Sequence, residues 1–305
     1  MKKVGWLGAS DGWYCRDLKR AAELGHWPES LQIEPMAFGE LQVAYHGGAS
    51  SVFSSSASCD ETAQPQAHDA LLVRTMPIGS LEQTVFRMNA LQVAQANGLR
   101  VINPPRALEI AIDKWLTLET VRRDGLLIPR TICCQTRDHA MEAWEMLGRS
   151  CVVKPIFGGE GRGIMQVNDA DMAWRVFTTL EQLRAVIYCQ EFLDGPGYDL
   201  RLLVIADAIF CVKRNGNGDW RTNVARGGSA EAFEPTFEQI QIAFKACRAV
   251  GAWMAGVDLL TDRRGRDVVL EVNAVPGWKA TAKALDVDIA RVILEKLLFS
   301  NDAFV

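Results

Sequence analysis

The fold is organised around the stretch GVDLLTDRRGRDVVLEVNAVPG, residues 256–277. Two apolar runs flank a charged turn, and this pattern predicts a β-hairpin. If the turn is centred just after Arg264, Asp258 lies directly opposite Glu271 on the partner strand. Because side chains alternate along a strand, Glu271 and Asn273 share a face. The sequence therefore predicts that three oxygen-bearing side chains converge on one side of the hairpin.

This set of oxygens, from Asp258, Glu271 and Asn273, predicts a metal site. Two adjacent carboxylates in an apolar environment repel each other and lose their hydration, and a bound cation relieves both costs. All-oxygen ligands favour Mg²⁺, with water and a phosphate completing its coordination. The alternative is a surface hairpin whose polar face is simply hydrated. The leucines and valines of both strands indicate an interior hairpin, which favours the metal site.

The composition is that of a globular protein and argues against several functional classes. The chain has 305 residues, of which 49% are hydrophobic and 23% charged, and its net charge of −4 gives no basic field for nucleic acid. We expect no membrane segment, because no uncharged apolar stretch is long enough. The N-terminal apolar run ends at Asp11, too early for a signal peptide. Eight cysteines without a CxxC pair predict a reducing, cytoplasmic location.

The first hundred residues have the pattern of a parallel α/β domain. Strands are predicted at residues 3–8, 69–74 and 99–103. Between the last two, a helix is predicted with Ser80 as N-cap, Gln83 at the capping-box position and Gly98 beyond its end. A strand–helix–strand unit implies a parallel sheet. Residues 49–66 are rich in serine and predict a loop or a disordered insert.

The rest of the chain predicts two α+β units. The second unit holds helices at 106–125, 137–147 and 169–183, and strands at 151–157, 164–167 and 186–193. The third holds a strand at 199–214, a polar loop at 215–230, a helix from about 235, the hairpin and a helix at 288–298. Asn103-Pro104-Pro105 and the bend at 195–197 mark the transitions. We therefore divide the chain into residues 1–102, 103–189 and 190–305.

A glycine-rich segment, GGEGRG at 158–163, joins two predicted strands. Dinucleotide-binding and P-loop glycine motifs join a strand to a helix, so neither applies. A flexible hairpin tip can still close over a polyphosphate, with Arg162 supplying charge. Lys154 lies inside the apolar strand before this tip and needs an anionic partner to stay charged. Its alternative is an edge-strand lysine that reaches water.

Three further features are ambiguous when taken singly. Lys114 follows Asp113 on a predicted helix and is, by itself, a solvated surface residue. QEFL at 190–193 can present backbone groups to an adenine, or can be a plain core strand. The loop at 219–228 holds two arginines and an asparagine, which suit carboxylate and phosphate oxygens. A solvated loop explains that composition equally well.

Taken in order, the motifs resemble the ATP-grasp superfamily and, in detail, the RimK-type α-L-glutamate ligases, over about residues 103–297. The matching motifs are DK at 113–114, VVKP at 152–155, GGEGRGI at 158–164, QEFL at 190–193, DLR at 199–201, DWRTNVARGG at 219–228, GVDLL at 256–260 and EVNAVPG at 271–277. The resemblance implies an ATP-grasp fold, in which an N-terminal parallel α/β domain precedes two α+β subdomains that enclose a nucleotide.

The resemblance also implies a role for individual residues. ATP would be bound by Lys114, Lys154, Gly159, Gly161, Gly163, Glu191, Phe192, Asp199, Arg221, Thr222 and Asn223. Glu191 and Phe192 would contact the adenine through their backbone, and Asp199 would lie on the ribose side. Arg221, Asn223 and Arg226 would be catalytic. Asp258, Glu271 and Asn273 would hold Mg²⁺ or Mn²⁺, with two ions in the site.

Two departures from the family's pattern concern the acceptor and not the ATP chemistry. Close relatives carry an Arg pair after a Glu where this chain has Val212-Lys213-Arg214. Trp278 replaces a smaller aliphatic residue after the Pro276-Gly277 turn.

The implied activity is that of an ATP-dependent carboxylate–amine ligase that works through an acylphosphate. We expect it to add L-glutamate to an acceptor carboxylate, either on a protein or on a small molecule such as a pterin cofactor precursor. The partners would be ATP, the amino acid, the acceptor and further copies of the chain, with no nucleic acid and no membrane. Two alternatives remain: an ATP-grasp ligase for another amino acid, of the D-alanine–D-alanine or amino-group-carrier type, and a non-catalytic nucleotide-binding regulator.

Overall fold

A computed structural model describes residues 1–46, 49–54, 68–159, 161–216, 218, 220–222 and 227–299. At positions 46, 49–51, 53 and 54 only the backbone is described.

The N-terminal unit is built on a four-stranded parallel sheet, as the sequence predicts. Its elements are β1 (Lys2–Leu7), α1 (Trp13–Leu24), β2 (Leu31–Met36), β3 (Leu41–His46), β4 (Ala49–Ser54), β5 (Ala70–Val73), α2 (Leu81–Ala96) and β6 (Val101–Ile102). The strand order is β2-β1-β5-β6, and all three neighbouring pairs are parallel. Ser80 caps α2 and forms the predicted capping box with Gln83. The amphipathic first segments were thus sufficient to predict the sheet, although not its edge strand β2.

The predicted loop at 49–66 is wrong for its first six residues. Residues 49–54 form β4, which pairs antiparallel with β3 as a separate hairpin. The serines of this segment give no strand signal in the sequence, because strand formation here depends on backbone pairing with β3 and on burial of Val52. Residues 55–66 lie outside the described residues.

The middle of the chain contributes two helices and a second sheet. Its elements are α3 (Pro105–Ile112), α4 (Lys114–Arg123), β7 (Thr131–Cys134), α5 (Arg137–Met146), β8 (Cys151–Lys154), β9 (Met165–Val167), α6 (Ala170–Gln182) and β10 (Ile187–Glu191). The sheet is antiparallel in the order β7-β10-β8-β9, so the glycine-rich segment joins two paired strands, as predicted. Helices α5 and α6 cover one of its faces and share a core with it.

The prediction of a single helix at 106–125 is wrong, because the helix is interrupted at Asp113. This residue leaves the helical conformation, and its side chain accepts a hydrogen bond from Leu116 N at 2.9 Å. An Asp cap starts a new helix, α4, with Lys114 as its first residue. Helices α3 and α4 pack mainly with the third unit of the chain and not with the second sheet. The predicted division of the chain at residues 102 and 189 stays a prediction.

The C-terminal unit is built on a five-stranded antiparallel sheet. Its elements are β11 (Tyr198–Ile205), β12 (Ala208–Asn215), β13 (Ser229–Ala232), α7 (Phe237–Val250), β14 (Met254–Thr261), β15 (Asp267–Asn273), α8 (Lys279–Leu285) and α9 (Ile289–Phe299). The strand order is β13-β12-β11-β14-β15. The long strand predicted at 199–214 is wrong: the chain turns at Ala206-Asp207, with Ala206 at φ 53°, and returns as β12. This turn places Arg214 opposite Asp199.

The five-stranded sheet has one apolar and one mixed face. Helices α3, α4 and α7 pack on the apolar face around Val257, Leu259 and Val269. On the other face, Leu203 and Ile205 of β11 pack into a core shared with β1, α1 and α9. The rest of that face carries Asp199, Arg201, Arg214 and Asp258 together with apolar residues such as Leu260, and it faces the second sheet. No described helix combines the length and the apolar character needed to cross a membrane.

Candidate active site

The central hairpin forms with the predicted pairing at its functional end. Asp258 lies directly opposite Glu271, and Gly256 lies opposite Asn273. Nearer the turn, the pairing of the two strands is shifted by one residue from the predicted register. A β-bulge at Leu270 restores the predicted register at Asp258. Because two residues of β15 then oppose Asp258, both Leu270 and Glu271 point into the cleft between the sheets. The bulge therefore puts an apolar wall and an acidic group side by side.

Asp258 is buried between two arginines that neighbouring strands supply. Arg201 of β11 donates two hydrogen bonds to its carboxylate, one of them at 2.7 Å to Oδ2, and Arg214 Nη2 lies 2.9 Å from the same oxygen. Burial opposes ionisation, but the two guanidinium groups lower the pKa of Asp258. A Cβ atom at Gly256 would come within 2.6 Å of Arg201 Nη1, so the glycine makes room for this guanidinium.

Asp199 extends the same network toward the polar loop. Arg214 donates two hydrogen bonds of 2.6 Å to its carboxylate, and Thr222 Oγ1 donates a third of 2.6 Å. Asp199 lines the cleft, as its predicted ribose contact requires. Both of its oxygens are engaged within the protein, so a ribose hydroxyl would share them with Arg214 and Thr222.

Glu271 differs from the other carboxylates. Among the described residues, no hydrogen bond or ion pair engages it, although it interacts electrostatically with Lys114 and Lys154. Asn273 Oδ1 accepts one hydrogen bond of 2.8 Å from Val275 N. The Glu271 carboxylate, which has no described hydrogen-bond or ion-pair partner, would suit a hard divalent cation together with the Asp258 carboxylate and the Asn273 amide oxygen. The described residues include no group of three acidic, His or Cys side chains that could hold a metal, and the predicted set has only two acids.

Lys154 ends β8 with its ammonium group desolvated. Its Nζ donates a hydrogen bond of 2.6 Å to Gln190 Oε1, and Gln190 is itself held by Thr131 and Tyr188. Burial lowers the pKa of Lys154 to about 8, although Glu271 and Asp258 act against this shift. Lys154 forms no ion pair with any described residue, so a bound anion would supply the partner that a desolvated lysine needs.

Lys114 lies at the site and not on the solvated surface. Because α4 starts at this residue, its backbone N donates to Ile156 O at 3.3 Å and its Nζ donates to Gly158 O. Burial lowers the pKa of Lys114, and Glu271 partly opposes that effect. The first turn of α4 therefore lies between Glu271 and the glycine-rich segment at 158–163 that joins β8 to β9, here called the glycine hairpin.

The glycine hairpin adjoins the second sheet's end of the cleft, which is lined by Lys154 before it and Ile164 after it. Gly161 and Gly163 both adopt φ 70°, a left-handed conformation that favours glycine. A side chain at Gly159 would meet no atom within 4 Å, so packing does not require that glycine. Arg221 Nη1 donates to Ile164 O at 3.4 Å, just after the hairpin.

A cleft of about 240 Å³ lies between the second and third sheets. Apolar side chains form its walls, and they come from both sheets: Val152, Ile164, Leu260 and Leu270. Lys154, Asp258 and Glu271 line its polar part. A flat aromatic base with a charged tail matches this division.

The segment that links the two sheets forms the rim of the cleft. Glu191 and Phe192 line it, but the Glu191 carboxylate turns away and accepts hydrogen bonds of 2.8 and 2.7 Å from Arg130. The backbone N–H of Glu191 donates to Arg130 O at 2.9 Å, and the predicted backbone contact of this residue with an adenine stays a prediction. The Phe192 ring meets Trp220 edge-on at 5.7 Å, next to Arg221.

Described side chains of both charges surround the cleft. The cations are Lys154, Arg214 and Arg221, with Lys114 and Arg201 beside them, and the acids are Glu191, Asp194, Asp199, Asp258 and Glu271. Of the predicted catalytic residues, Arg221 lines the cleft, whereas Asn223 and Arg226 lie outside the described residues.

Arg201 and Arg214 are site residues that the sequence-based prediction omitted. Arg201 belongs to the DLR motif and shares a strand face with Asp199, so strand periodicity alone could have identified it. A prediction that makes 199–214 one strand cannot identify Arg214 as a site residue, because the position of Arg214 depends on the turn at Ala206-Asp207.

Sequence comparisons agree with this geometry. Residues 111–297 match a family model described as a RimK-like ATP-grasp domain. The chain is 33% identical to the tetrahydromethanopterin:alpha-L-glutamate ligase of Methanosarcina acetivorans, over 75% of this chain and 79% of that protein. It is 32% identical to a ribosomal protein bS6–L-glutamate ligase of Escherichia coli, over 68% and 70% of the two chains.

Solved structures show the same fold at low sequence identity. The ATP-grasp ligase PsnB, complexed with its minimal precursor, aligns with a TM-score of 0.74 at 20% identity, over 97% of this chain and 98% of that one. A RimK domain ATP-grasp protein from Sphaerobacter thermophilus aligns with a TM-score of 0.72 at 18% identity, over 97% and 99%. The fold is therefore ATP-grasp, and the match over residues 111–297 shows that the chain belongs to the RimK-like ATP-grasp family.

Proposed function

We propose that this protein is an ATP-dependent carboxylate–amine ligase that joins the α-amino group of L-glutamate to an acceptor carboxylate. The observation that carries the proposal is the pair of desolvated lysines, Lys114 and Lys154, beside the uncommitted Glu271 at the end of an apolar cleft. Such lysines are costly without an anion, and a metal-bound triphosphate supplies one.

ATP would lie with its adenine between the apolar walls of the cleft and its phosphates at the lysines. The backbone of Glu191 and Phe192 would meet the adenine edge, and Asp199 would lie on the ribose side. The glycine hairpin, through Gly159, Gly161 and Gly163, would cover the phosphates. This arrangement would also exclude water from a hydrolytically sensitive intermediate.

Asp258, Glu271 and Asn273 would hold Mg²⁺ or Mn²⁺, and two ions would fit the charge of a triphosphate. When bound, the metal would neutralise phosphate charge and orient the terminal phosphoryl group. Asp258 would keep its arginine partners and meet the metal through Oδ1, which accepts from Arg201 alone, whereas Oδ2 is engaged by both Arg201 and Arg214.

The chain would act on the reaction by positioning and by charge neutralisation. An acceptor carboxylate oxygen attacks the γ-phosphorus, and ADP leaves. The amine nitrogen then attacks the carbonyl carbon of the acylphosphate, loses a proton and expels phosphate, which leaves an amide. Arg221, Thr222 and Asn223 would lie by the phosphates and the acyl group, and Arg226 would add charge. Arg201 and Arg214, held at Asp258, would lie within the same field.

The acceptor is the open part of the proposal. Relatives of nearly equal identity are named for a pterin cofactor and for a ribosomal protein, so identity does not choose between a small molecule and a protein. A cytoplasmic location and a homo-oligomeric state belong to the same proposal. The first is supported by free thiols at each described cysteine.

The proposal is tested by measuring ADP release with ATP, Mg²⁺, a panel of amino acids and a panel of acceptor carboxylates, with products read by mass spectrometry. We expect ADP release that depends on L-glutamate and an acceptor mass increased by one glutamyl residue. Stronger turnover with another amino acid would favour the alternative ligase. Nucleotide binding without turnover for any pair of substrates would favour a regulatory protein.

A further inference from the structure

A second polar site lies at the carboxyl ends of β1 and β5. In the sheet order β2-β1-β5-β6, the chain moves from β1 to one side for β2 and to the other side for β5. The crevice at such a switch in strand order is where open α/β sheets bind ligands. Here the loop after β1 leads to Gly12 and α1, and β5 is followed directly by Arg74.

Arg74 is a buried cation that has no counterion in the described part of the chain. Its relative exposure is 5%, and no described carboxylate lies within ion-pair distance. Its Nη2 donates to Pro276 O at 2.5 Å, whereas its Nε is buried and has no hydrogen-bond partner. The guanidinium lies over the rings of Trp278 and Tyr14, with centroids at 4.7 and 5.6 Å.

These contacts compensate only part of the cost of burying this charge. Buried polar groups nearly always have partners, and a buried charge needs a counterion or several hydrogen bonds. Two aromatic faces and one carbonyl leave the Nε donor unused. Because burial lowers the pKa of Arg74 only to about 10, the group is still a cation at neutral pH. An anionic ligand would supply both the missing countercharge and an acceptor for Nε.

The first turn of α1 favours the same kind of ligand. Gly12 is its N-cap and offers no side chain to accept from the free N–H groups of the helix. Uncapped helix N-termini attract carboxylates and phosphates. Tyr14, whose ring lies under the Arg74 guanidinium, belongs to this turn, so one side chain joins the start of α1 to Arg74.

This site is close to the metal end of the cleft. Pro276, which Arg74 holds, follows Asn273 by three residues. Three residues of chain span at most about 10 Å. Arg74 does not line the nucleotide cleft itself. A substrate with one reacting group at the phosphates and a second carboxylate could therefore reach both places.

We propose that Arg74 binds a non-reacting carboxylate of a substrate, and so fixes that substrate between the N-terminal sheet and the turn that follows Asn273. This inference rests on the proposed function. The carboxylate has two possible sources with the same chemistry: free L-glutamate, and an acceptor that ends in glutamate. Bidentate pairing with a carboxylate would give the idle Nε a partner.

The test is calorimetric titration of L-glutamate, and separately of N-acetyl-L-glutamyl-L-glutamate, into the protein saturated with Mg²⁺ and a non-hydrolysable ATP analogue. We expect Arg74→Met to weaken binding of at least one probe by tenfold or more and to leave the affinity for the nucleotide analogue unchanged. The probe that loses affinity identifies the source. The matched control is Arg87→Met, which removes another buried arginine that donates to a proline carbonyl, at 2.8 Å.

Equal affinity for both probes in the wild type and in Arg74→Met would overturn the inference, as would a wild type that binds the nucleotide and neither probe. If the wild type does not bind the nucleotide, the proposed function itself fails. Should Arg74→Met not fold, Arg74→Lys decides instead, because it keeps a cation between the rings and loses the bidentate fork. The same tenfold weakening is expected there, and unchanged affinity would overturn the inference equally.

Discussion

Lys154 shows how a residue proposed to bind phosphate can lower the stability of its own protein. It is desolvated, its pKa is lowered to about 8, and its hydrogen-bond partner is the neutral Gln190. A lysine whose folded-state pKa is below its unfolded-state value destabilises the fold at any pH below the folded value, and the penalty fades as the pH rises above it.

We therefore predict that Lys154→Met raises the free energy of unfolding at pH 7 by about 1–3 kcal/mol. The same change removes a charged donor and should weaken ATP binding by about 2 kcal/mol, roughly thirtyfold. Chemical denaturation and calorimetric ATP titration measure the two effects. Lys283→Met, at an exposed lysine of α8, is the control and should change neither quantity. ATP affinity equal to the wild type would remove Lys154 from the phosphate site.

The pH dependence of ATP binding follows from the same residue. An uncharged Lys154 cannot pair with a phosphate, so the wild-type dissociation constant for ATP should rise above pH 8, by at most about tenfold per pH unit. Lys114, whose pKa is lowered as well, adds to this trend. Titrations from pH 7 to 10 should show a steep wild-type profile and a shallower one for Lys154→Met. Parallel profiles would contradict the assignment.

At this scale the sequence was informative where a residue type conflicts with its surroundings. A lysine within an apolar strand predicts an anion site, and Lys154 is desolvated and without an ion-pair partner among the described residues. Lys114 carried no such conflict, because its environment is created by the break at Asp113 and by contact with Gly158, which is 44 residues away.

The β14–β15 hairpin shows what an element adds to its residues. A regular ladder would place Leu270 and Glu271 on opposite faces, and the bulge brings both into the cleft. Leu270 forms part of the apolar wall of the cleft, and Glu271 lies at the charged end of the same cleft.

We predict that Leu270→Ala weakens the binding of ATP and of ADP equally, by about 1–2 kcal/mol of lost apolar contact. The effect should be independent of Mg²⁺ concentration, because the side chain faces the base and not the phosphates. Competitive displacement of a fluorescent adenine nucleotide measures both affinities. A loss confined to ATP, or one that excess Mg²⁺ reverses, would mean that Leu270 acts on the metal end instead.

Elements were predictable from sequence wherever a local signal marks their ends. The capping box at Ser80 and the glycine hairpin between β8 and β9 are local patterns. The turn at Ala206-Asp207 has no glycine or proline, and three of the six residues of β4 are serines, so the sequence predicted neither the turn nor the strand. Their structure depends on pairing with strands already in place.

In the whole molecule, the order of motifs along the chain anticipated the architecture better than any single motif did. The parallel sheet, the antiparallel sheet with its glycine hairpin, and the hairpin that carries the acids occur in the predicted order. What the order could not provide is the packing of α3 and α4 on the third unit, or the contact of Arg74 with Pro276, which lies 202 residues away. Those contacts depend on how three units meet.

The central claim is that Glu271, which has no hydrogen-bond or ion-pair partner among the described residues, holds the metal ion that positions ATP beside Lys114 and Lys154. The most direct measurement is the Mg²⁺ dependence of ADP release in Glu271→Gln, beside the wild type, with the thermal unfolding midpoint as a check on folding. Because the amide removes the charge and keeps the shape, we predict an unchanged midpoint and loss of turnover at every Mg²⁺ concentration. A folded variant that retains full Mg²⁺-dependent activity would contradict the claim.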